Sequence, residues 1–305
     1  MSNDVDSAHI ELENKIGAID MGSKNFKLVI GWKVNDQIIT QLLKKENVNL
    51  GREVDENNKR IRKKKLVEIE NILAGFKNDC LKKGITKILA IATSAVRNAR
   101  NKEDLVSLAR DYGISLEVAN GQREGEVGYL AATSGASNRL VIDMGSQSFQ
   151  LTWKINKKIK SKSFKAGYKI AYKKFIKGKL TFAKTQALYI KFLEKNLTIF
   201  PKKTNQLISL ASKTITSFVT GKKKGEVSGI NLSKKELNEK IGSLRNLTSK
   251  QFKLLKSNTR KASKIFPGII LLDYVMEQSK HDNALIVDAE LPAGLIVEYF
   301  QKAAF

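Results

Sequence analysis

A stretch used twice constrains this chain more than any other feature. Residues Ile19-Asp20-Met21-Gly22-Ser23-Lys24-Asn25-Phe26-Lys27-Leu28 and Ile142-Asp143-Met144-Gly145-Ser146-Gln147-Ser148-Phe149-Gln150-Leu151 agree at seven of ten positions and lie 123 residues apart. The echo continues into Trp32-Lys33-Val34-Asn35 and Trp153-Lys154-Ile155-Asn156. Each copy reads as an apolar strand, an Asp, a turn of Gly and small polar residues, and a second apolar strand, which is the pattern of a β-hairpin. Gly22 and Gly145 allow a tight turn and leave amide N–H groups uncovered by side chains, so a phosphate oxygen could approach them. Asp20 and Asp143, beside the turns, are suited to anchoring a hydrated cation. Either copy alone is also what an ordinary hairpin looks like. Two copies at matching places in the two halves predict two α/β domains, each entered through one hairpin.

The rest of the composition is compatible with that division. A chain of 305 residues, 42% hydrophobic and 7% aromatic, can bury two cores. No apolar run is long enough to span a bilayer, and residues 1–13 are polar and acidic, unlike a signal peptide, which makes the cytoplasm the default compartment. Cys80 is the only cysteine and excludes an internal disulfide, a cysteine zinc site and a CxxC pair; it follows Phe76 at helical spacing, as a buried small residue would. With only His9 and His281, neither a histidine metal cluster nor a Ser-His-Asp triad can be assembled. The net charge of +25 creates a field that concentrates polyanions: nucleic acid, polyphosphate, phosphorylated nucleotides or an anionic membrane face. The lysines are spread along the chain, without a zinc finger, basic zipper or aromatic-rich RNA-binding signature, and a solvated lysine-rich surface would give the same count.

Local patterns fill in the halves. Residues 1–14 read as a flexible lead-in, 15–34 and 38–43 as strands, and 49–62 as a polar loop with a turn at Leu50-Gly51. Leu66, Ile69, Ile72, Leu73, Phe76 and Leu81 make a helical stripe over 63–83. Residues 85–92 are a continuously apolar strand of the parallel kind, leading into a loop over 93–101 that opens a helix. Thr93 or Ser94 would cap it. Arg97 in the first turn opposes the helix dipole unless an anion is present, which makes Ser94 and Arg97 a candidate phosphate seat. A helix over 101–112, a strand over 115–118 and a turn-to-helix segment over 120–132 follow, the last carrying Glu124 and Glu126, at least one of them a candidate cleft residue. In the second half we expect a turn at Gly167-Tyr168 before a helix, a helix over 181–197, and a strand over 206–211 entering Ser212-Lys213-Thr214. A basic loop over 221–229, an S-x-x-E capping box at Ser233 and Glu236, and a helix over 261–278 broken at Pro267-Gly268 come next. The chain closes with a strand over 284–287 and a helix over 294–304 that packs back across the domain boundary.

In this order the pieces resemble the exopolyphosphatase / guanosine pentaphosphate phosphohydrolase (Ppx/GppA) family. The resemblance rests on Ile19-Asp20-Met21-Gly22-Ser23 with Phe26 and Lys27, Ala92-Thr93-Ser94-Ala95-Val96-Arg97-Asn98-Ala99 with Asn101, Gly121-Gln122-Arg123-Glu124, and Val141-Ile142-Asp143-Met144-Gly145 with Ser148. Weaker echoes are Thr214-Ile215-Thr216-Ser217-Phe218, Ile265-Phe266-Pro267-Gly268 and Leu291-Pro292-Ala293-Gly294-Leu295. What the resemblance implies is a pair of actin-like (ribonuclease H-like) domains of the actin, hexokinase and heat-shock ATPase superfamily, residues 1–128 and 129–305, with a cleft between them. It also implies Mg²⁺-dependent release of the terminal phosphate of inorganic polyphosphate or the 5′ γ-phosphate of guanosine pentaphosphate. Glu124 takes the place of the family's catalytic glutamate, Asp143 and Asp20 of its metal-associated aspartates, and Arg97 of its phosphate-binding arginine. Gly22, Ser23, Lys24, Ser94, Gly145, Ser146, Gln147, Ser148, Lys213 and Thr214 fall on the phosphate-binding segments.

The chain also departs from the family pattern. The second loop has lost two glycines to Ser146 and Gln147, and the family's second carboxylate is the neutral Gln150, which can hydrogen-bond a water but cannot take its proton. Lys24 stands where the family carries Asn, Ser212 and Lys213 replace two glycines, and Pro292 replaces an Arg. Two further readings therefore stay open: a family member that binds polyphosphate or an alarmone as a sensor, and, ranked below it, a nucleic-acid-binding protein on the same fold. Pairing of two chains is not decided by the sequence, and no membrane partner is expected.

Overall fold

The computed structural model describes residues 15–155, 158–178, 181–201, 204–210 and 213–303. The expected lead-in, His9 and Ser212 lie outside the described residues. The chain forms two compact units, one of Met1–Gly135 with Glu290–Phe305, the other of Ala136–Ala289.

The first unit begins with strands β1 (Ile16–Met21), β2 (Asn25–Val34) and β3 (Gln37–Asn47). Helices α1 (Leu50–Glu56) and α2 (Lys63–Leu81), strand β4 (Ile88–Ala92) and helices α3 (Ser94–Arg97) and α4 (Lys102–Asp111) follow. Strand β5 (Ile114–Val118) and helix α5 (Gly121–Thr133) come next. The sheet order is β3-β2-β1-β4-β5, with β2 antiparallel to β1, and β4 and β5 parallel to it. All six residues of β1 are buried, as a strand with neighbours on both edges and layers on both faces requires.

The second unit repeats the plan. Hairpin strands β6 (Arg139–Met144), β7 (Phe149–Ile155) and β8 (Lys158–Phe164) lead to α6 (Tyr168–Ala171), which runs on as a π-helical turn over Tyr172–Ile176. Then come α7 (Phe182–Asn196), β9 (Gln206–Leu210), α8 (Lys213–Thr220), β10 (Asn231–Ser233), α9 (Lys234–Arg245) and α10 (Ser249–Ser257). Helix α11 (Thr259–Ser279) and strand β11 (Asn283–Val287) complete it. The order β10-β11-β9-β6-β7-β8 matches the first sheet once the antiparallel edge strand β10 is set aside, β9 and β11 being parallel to β6. The last helix, α12 (Leu291–Ala303), belongs to the first unit, where Leu295, Ile296 and Phe300 share a core with Ile16, Ala18 and Val29. The boundary expected at 128/129 falls inside α5, which lies whole in the first unit. None of the described helices is long and apolar enough to cross a membrane.

Two local expectations are corrected, and two elements, β8 and α10, had none. The polar stretch after β3 is helix α1, because Leu50 and Val54 are buried and Glu53, buried with them, receives hydrogen bonds from Arg62 at 2.7 Å. Those bonds hold the Glu53 carboxyl below the usual carboxylate range. Residues 158–164 form edge strand β8, whose exposed Lys158, Lys160 and Lys162 discourage pairing with another chain. Helix α10 was hidden by its weak apolar stripe, although Thr248 and Gln251 make a complete capping box. Pro267 does not break α11, which continues through it on buried Phe266, Ile269 and Ile270. Cys80 is buried, and burial pushes its thiol up to about 11, so it stays protonated.

Candidate functional site

Parallel strands put their carboxyl ends at one edge of a sheet, the edge where open α/β folds present side chains to ligands. In the first unit Met21, Ala92 and Val118 stand in register across β1, β4 and β5. The segments that follow these residues carry Gly22, Ser23 and Lys24, then Ser94 and Arg97, then Glu124. Ser23 Oγ lies 3.2 Å from Ser94 Oγ, which joins the first two segments. Arg97 joins the second to the third: its guanidinium donates to the Ala119 carbonyl and lies 3.5 Å from the Glu124 carboxylate. Glu126, the other candidate, accepts a hydrogen bond from Gln122 at 3.0 Å along the outer face of α5. Glu124 alone of the two faces Arg97.

Two details differ from the sequence expectation. Helix α3 is a single turn in which Arg97 is the last residue, so its charge closes the turn instead of opposing a helix N-terminus. Thr93 occupies the cap position, but its side chain makes no capping hydrogen bond. Asp20 is buried and folds over its own turn; a Cβ on Gly22 would touch both its carboxylate oxygens at 3.4 Å and crowd the Asn25 carbonyl oxygen at 3.0 Å.

In the second unit Asp143, Leu210 and Val287 stand in register across β6, β9 and β11. Gly145 to Ser148, Lys213 and Thr214, and Asp288 follow them at that sheet edge. Lys213 opens α8 and pairs with Asp288. Asp143 faces Gln150 across the β6–β7 ladder, so their side chains share one face of the sheet. Gln150 is 1% exposed; its amide donates to Ser148 Oγ at 3.0 Å and Ser163 Oγ at 3.4 Å, while Oε1 has no hydrogen-bond partner among the described residues. At the same place in the first hairpin Lys27 faces Asp20, and Lys27 pairs with Glu290.

Each loop is strapped by the segment after its third strand, a feature the sequence reading did not contain. Ser23 O accepts from Gly51 N at 2.7 Å, and Lys24 O from Val48 N and Asn49 N at 2.9 and 2.8 Å. In the second unit Gly145 O, Ser146 O and Gln147 O accept from Tyr168 N, Lys169 N and Gly167 N, each at 3.0 Å. The carbonyl dipoles, which would repel an anion, are thereby turned into the strap. Gly167 makes the close approach feasible, since a Cβ there would fall 2.5 Å from the Gln147 carbonyl carbon. Gly51 and Gly167 do not share the 123-residue spacing, so the repeat offered no signal for them.

For a metal ion, Asp20 and Asp143 would each offer one carboxylate beside a hairpin loop, and the described residues contain no group of three or more His, Cys, Asp or Glu able to hold one. That donor set fits Mg²⁺, which keeps several waters and is held by one or two carboxylates together with substrate phosphates.

The comparisons with known proteins converge. Exopolyphosphatase 1 of Mycobacterium bovis is 26% identical over 144 residues, spanning 45% of this chain and 42% of that protein, so the aligned region is under half of either. Among solved structures, a Ppx/GppA family member of Aquifex aeolicus superposes with a TM-score of 0.82 at 22% identity, covering 96% of this chain and 99% of the other. An exopolyphosphatase of Cytophaga hutchinsonii gives 0.70 at 19% identity, with 94% and 98% covered. These likenesses establish the actin-like two-domain fold. The family model for the Ppx/GppA phosphatases matches residues 30–303, from within β2 through the last helix, and the chain belongs to that family.

Proposed function

We propose that the protein is a phosphohydrolase that releases the terminal phosphate of inorganic polyphosphate, with the 5′ γ-phosphate of guanosine pentaphosphate as the related substrate. The observation that carries this reading is the Arg97–Glu124 pair at 3.5 Å. It holds a cation for the terminal phosphate and a carboxylate for the attacking water at neighbouring points of one sheet edge. Water attacks the terminal phosphorus, a new P–O bond forms, the bridging P–O bond breaks, and the shortened chain leaves with its negative charge. Phosphoryl transfer asks chiefly for positioning, charge neutralisation and an oriented nucleophile. In this reading Glu124 orients or deprotonates the water, Arg97 holds the phosphate, and the strapped loop of each unit, Gly22–Lys24 or Gly145–Ser148, offers its amides to phosphate oxygens. Asp20 and Asp143, each within its own unit, would be the carboxylates for Mg²⁺, whose contribution is neutralisation of phosphate oxygens.

One observation favours a second reading. Gln150, which on the family resemblance takes the place of a carboxylate, is buried and hydrogen-bonded, and a protein so altered could bind the chain as a sensor without turning it over. Phosphate release from long-chain polyphosphate, with and without Mg²⁺, tests both. Hydrolysis that falls ~10²-fold or more in Glu124→Gln supports the enzyme, that being the usual contribution of a general base. Retention of polyphosphate without any release supports the sensor.

A further inference from the structure

The chain returns from the second unit to the first between Ala289 and Glu290, and the two acidic residues beside that crossing each hold a lysine at one of the sheet edges described above. Asp288 follows β11 and pairs with Lys213, within the second unit. Glu290 precedes α12 and pairs with Lys27, which faces Asp20 across the β1–β2 ladder, within the first. Acidic residues are scarce in this protein, 30 against 55 basic, yet they occupy two of the three positions from 288 to 290. The Lys27 and Glu290 side chains are 22% and 25% exposed, and those of Lys213 and Asp288 27% and 48%, so all four remain reachable from solvent.

A lysine ammonium is a compact point charge that exchanges one oxyanion for another at little geometric cost. We propose that Asp288 and Glu290 are internal stand-ins for phosphate: each neutralises a lysine beside one hairpin loop, and an arriving phosphate chain displaces it. The inference rests on the phosphate-chain reading given above. It makes the two carboxylates determinants of ligand strength, selecting against singly charged anions that cannot outcompete them and for chains whose many charges can. It also ties occupancy of the two loops to the short segment 288–290, since displacement at either side removes one of that segment's ion pairs.

The test is a pair of double-mutant cycles read by calorimetric binding of linear tripolyphosphate at fixed, low ionic strength. Asp288→Asn should tighten binding about 2- to 5-fold, the range of an exposed ion pair, and should do nothing in a Lys213→Gln background. Glu290→Gln should behave the same way with Lys27→Gln. Glu277→Gln, which releases Lys234 elsewhere on the second unit, controls for the general gain of positive charge. Melting curves identify any variant whose fold has been lost, and Asp288→Ser and Glu290→Ala then replace it. Equal gains in all three single variants, or gains that persist without the partner lysine, overturn the inference while leaving the phosphate-chain reading intact. No binding by the unmodified protein or any variant overturns both.

Discussion

Gln150 takes the place where the family resemblance leads one to expect a carboxylate, and its surroundings say what an acid there would do. A glutamate there would place a second carboxylate on the same face as Asp143, directly opposite it and 1% exposed to water. Two like charges so close disfavour ionisation of both unless a cation lies with them. Gln150→Glu should therefore lower the melting temperature in chelator, recover it in Mg²⁺, and raise phosphate release only in Mg²⁺. The same melting temperature in both media would show that this position does not sense the metal. Gly167 makes the companion prediction. A methyl group there meets the Gln147 backbone, so Gly167→Ala should cost about 1–3 kcal/mol, the usual penalty of overpacking, and should weaken polyphosphate binding by displacing the Gly145–Ser148 loop. Urea unfolding and a binding isotherm check the two parts separately.

At the scale of elements, the sequence was most legible where one physical signal dominated. The apolar run of β4, the stripe of α2 and the duplicated hairpins were plain, because burial alone fixes them. Helix α1, strand β8 and helix α10 were not. Glu53 reads as surface and is buried only because Arg62 reaches it; Ser161 and Ser163 look like loop residues but meet Thr152 and Gln150 across the ladder. The site showed the same limit. The repeat pointed to Asp20 and Asp143 and the family resemblance to Glu124, whereas Gly167, Asp288 and Glu290 depend on contacts between segments separated in sequence. The weaker family echoes also acquire a physical reason. A Cβ on Gly294 of α12 would fall 2.8 Å from the Val127 carbonyl carbon of α5, and one on Gly268 of α11 would fall 2.7 Å from Ile215 Cγ1 of α8. These glycines let helices cross closely over each sheet. Since backbone cannot yield as a side chain can, Gly294→Ala should destabilise more than Gly268→Ala, with about 1–3 kcal/mol expected for the former; denaturant titration of both ranks them.

For the whole molecule, the charge of +25 sets how any phosphate chain would bind. Neutralising a polyanion releases its condensed counterions, so affinity should fall linearly with the logarithm of salt, losing on the order of 10-fold or more between about 50 and 200 mM. Binding that ignores salt would refute a polyanion ligand. The charge count was legible at once, but the boundary expected at 128/129 falls inside α5, although the return of the final helix to the first unit was anticipated. That helix supplies Leu295, Ile296 and Phe300 to a core whose other buried members are Ile16, Ala18, Val29, Ile91, Ala119 and Val127. A ribosome makes the chain in one direction only. The first unit therefore emerges with an apolar face it cannot yet cover, and must wait while the whole second unit, continuous in sequence, is synthesised and folds; the half begun earliest is the half completed last.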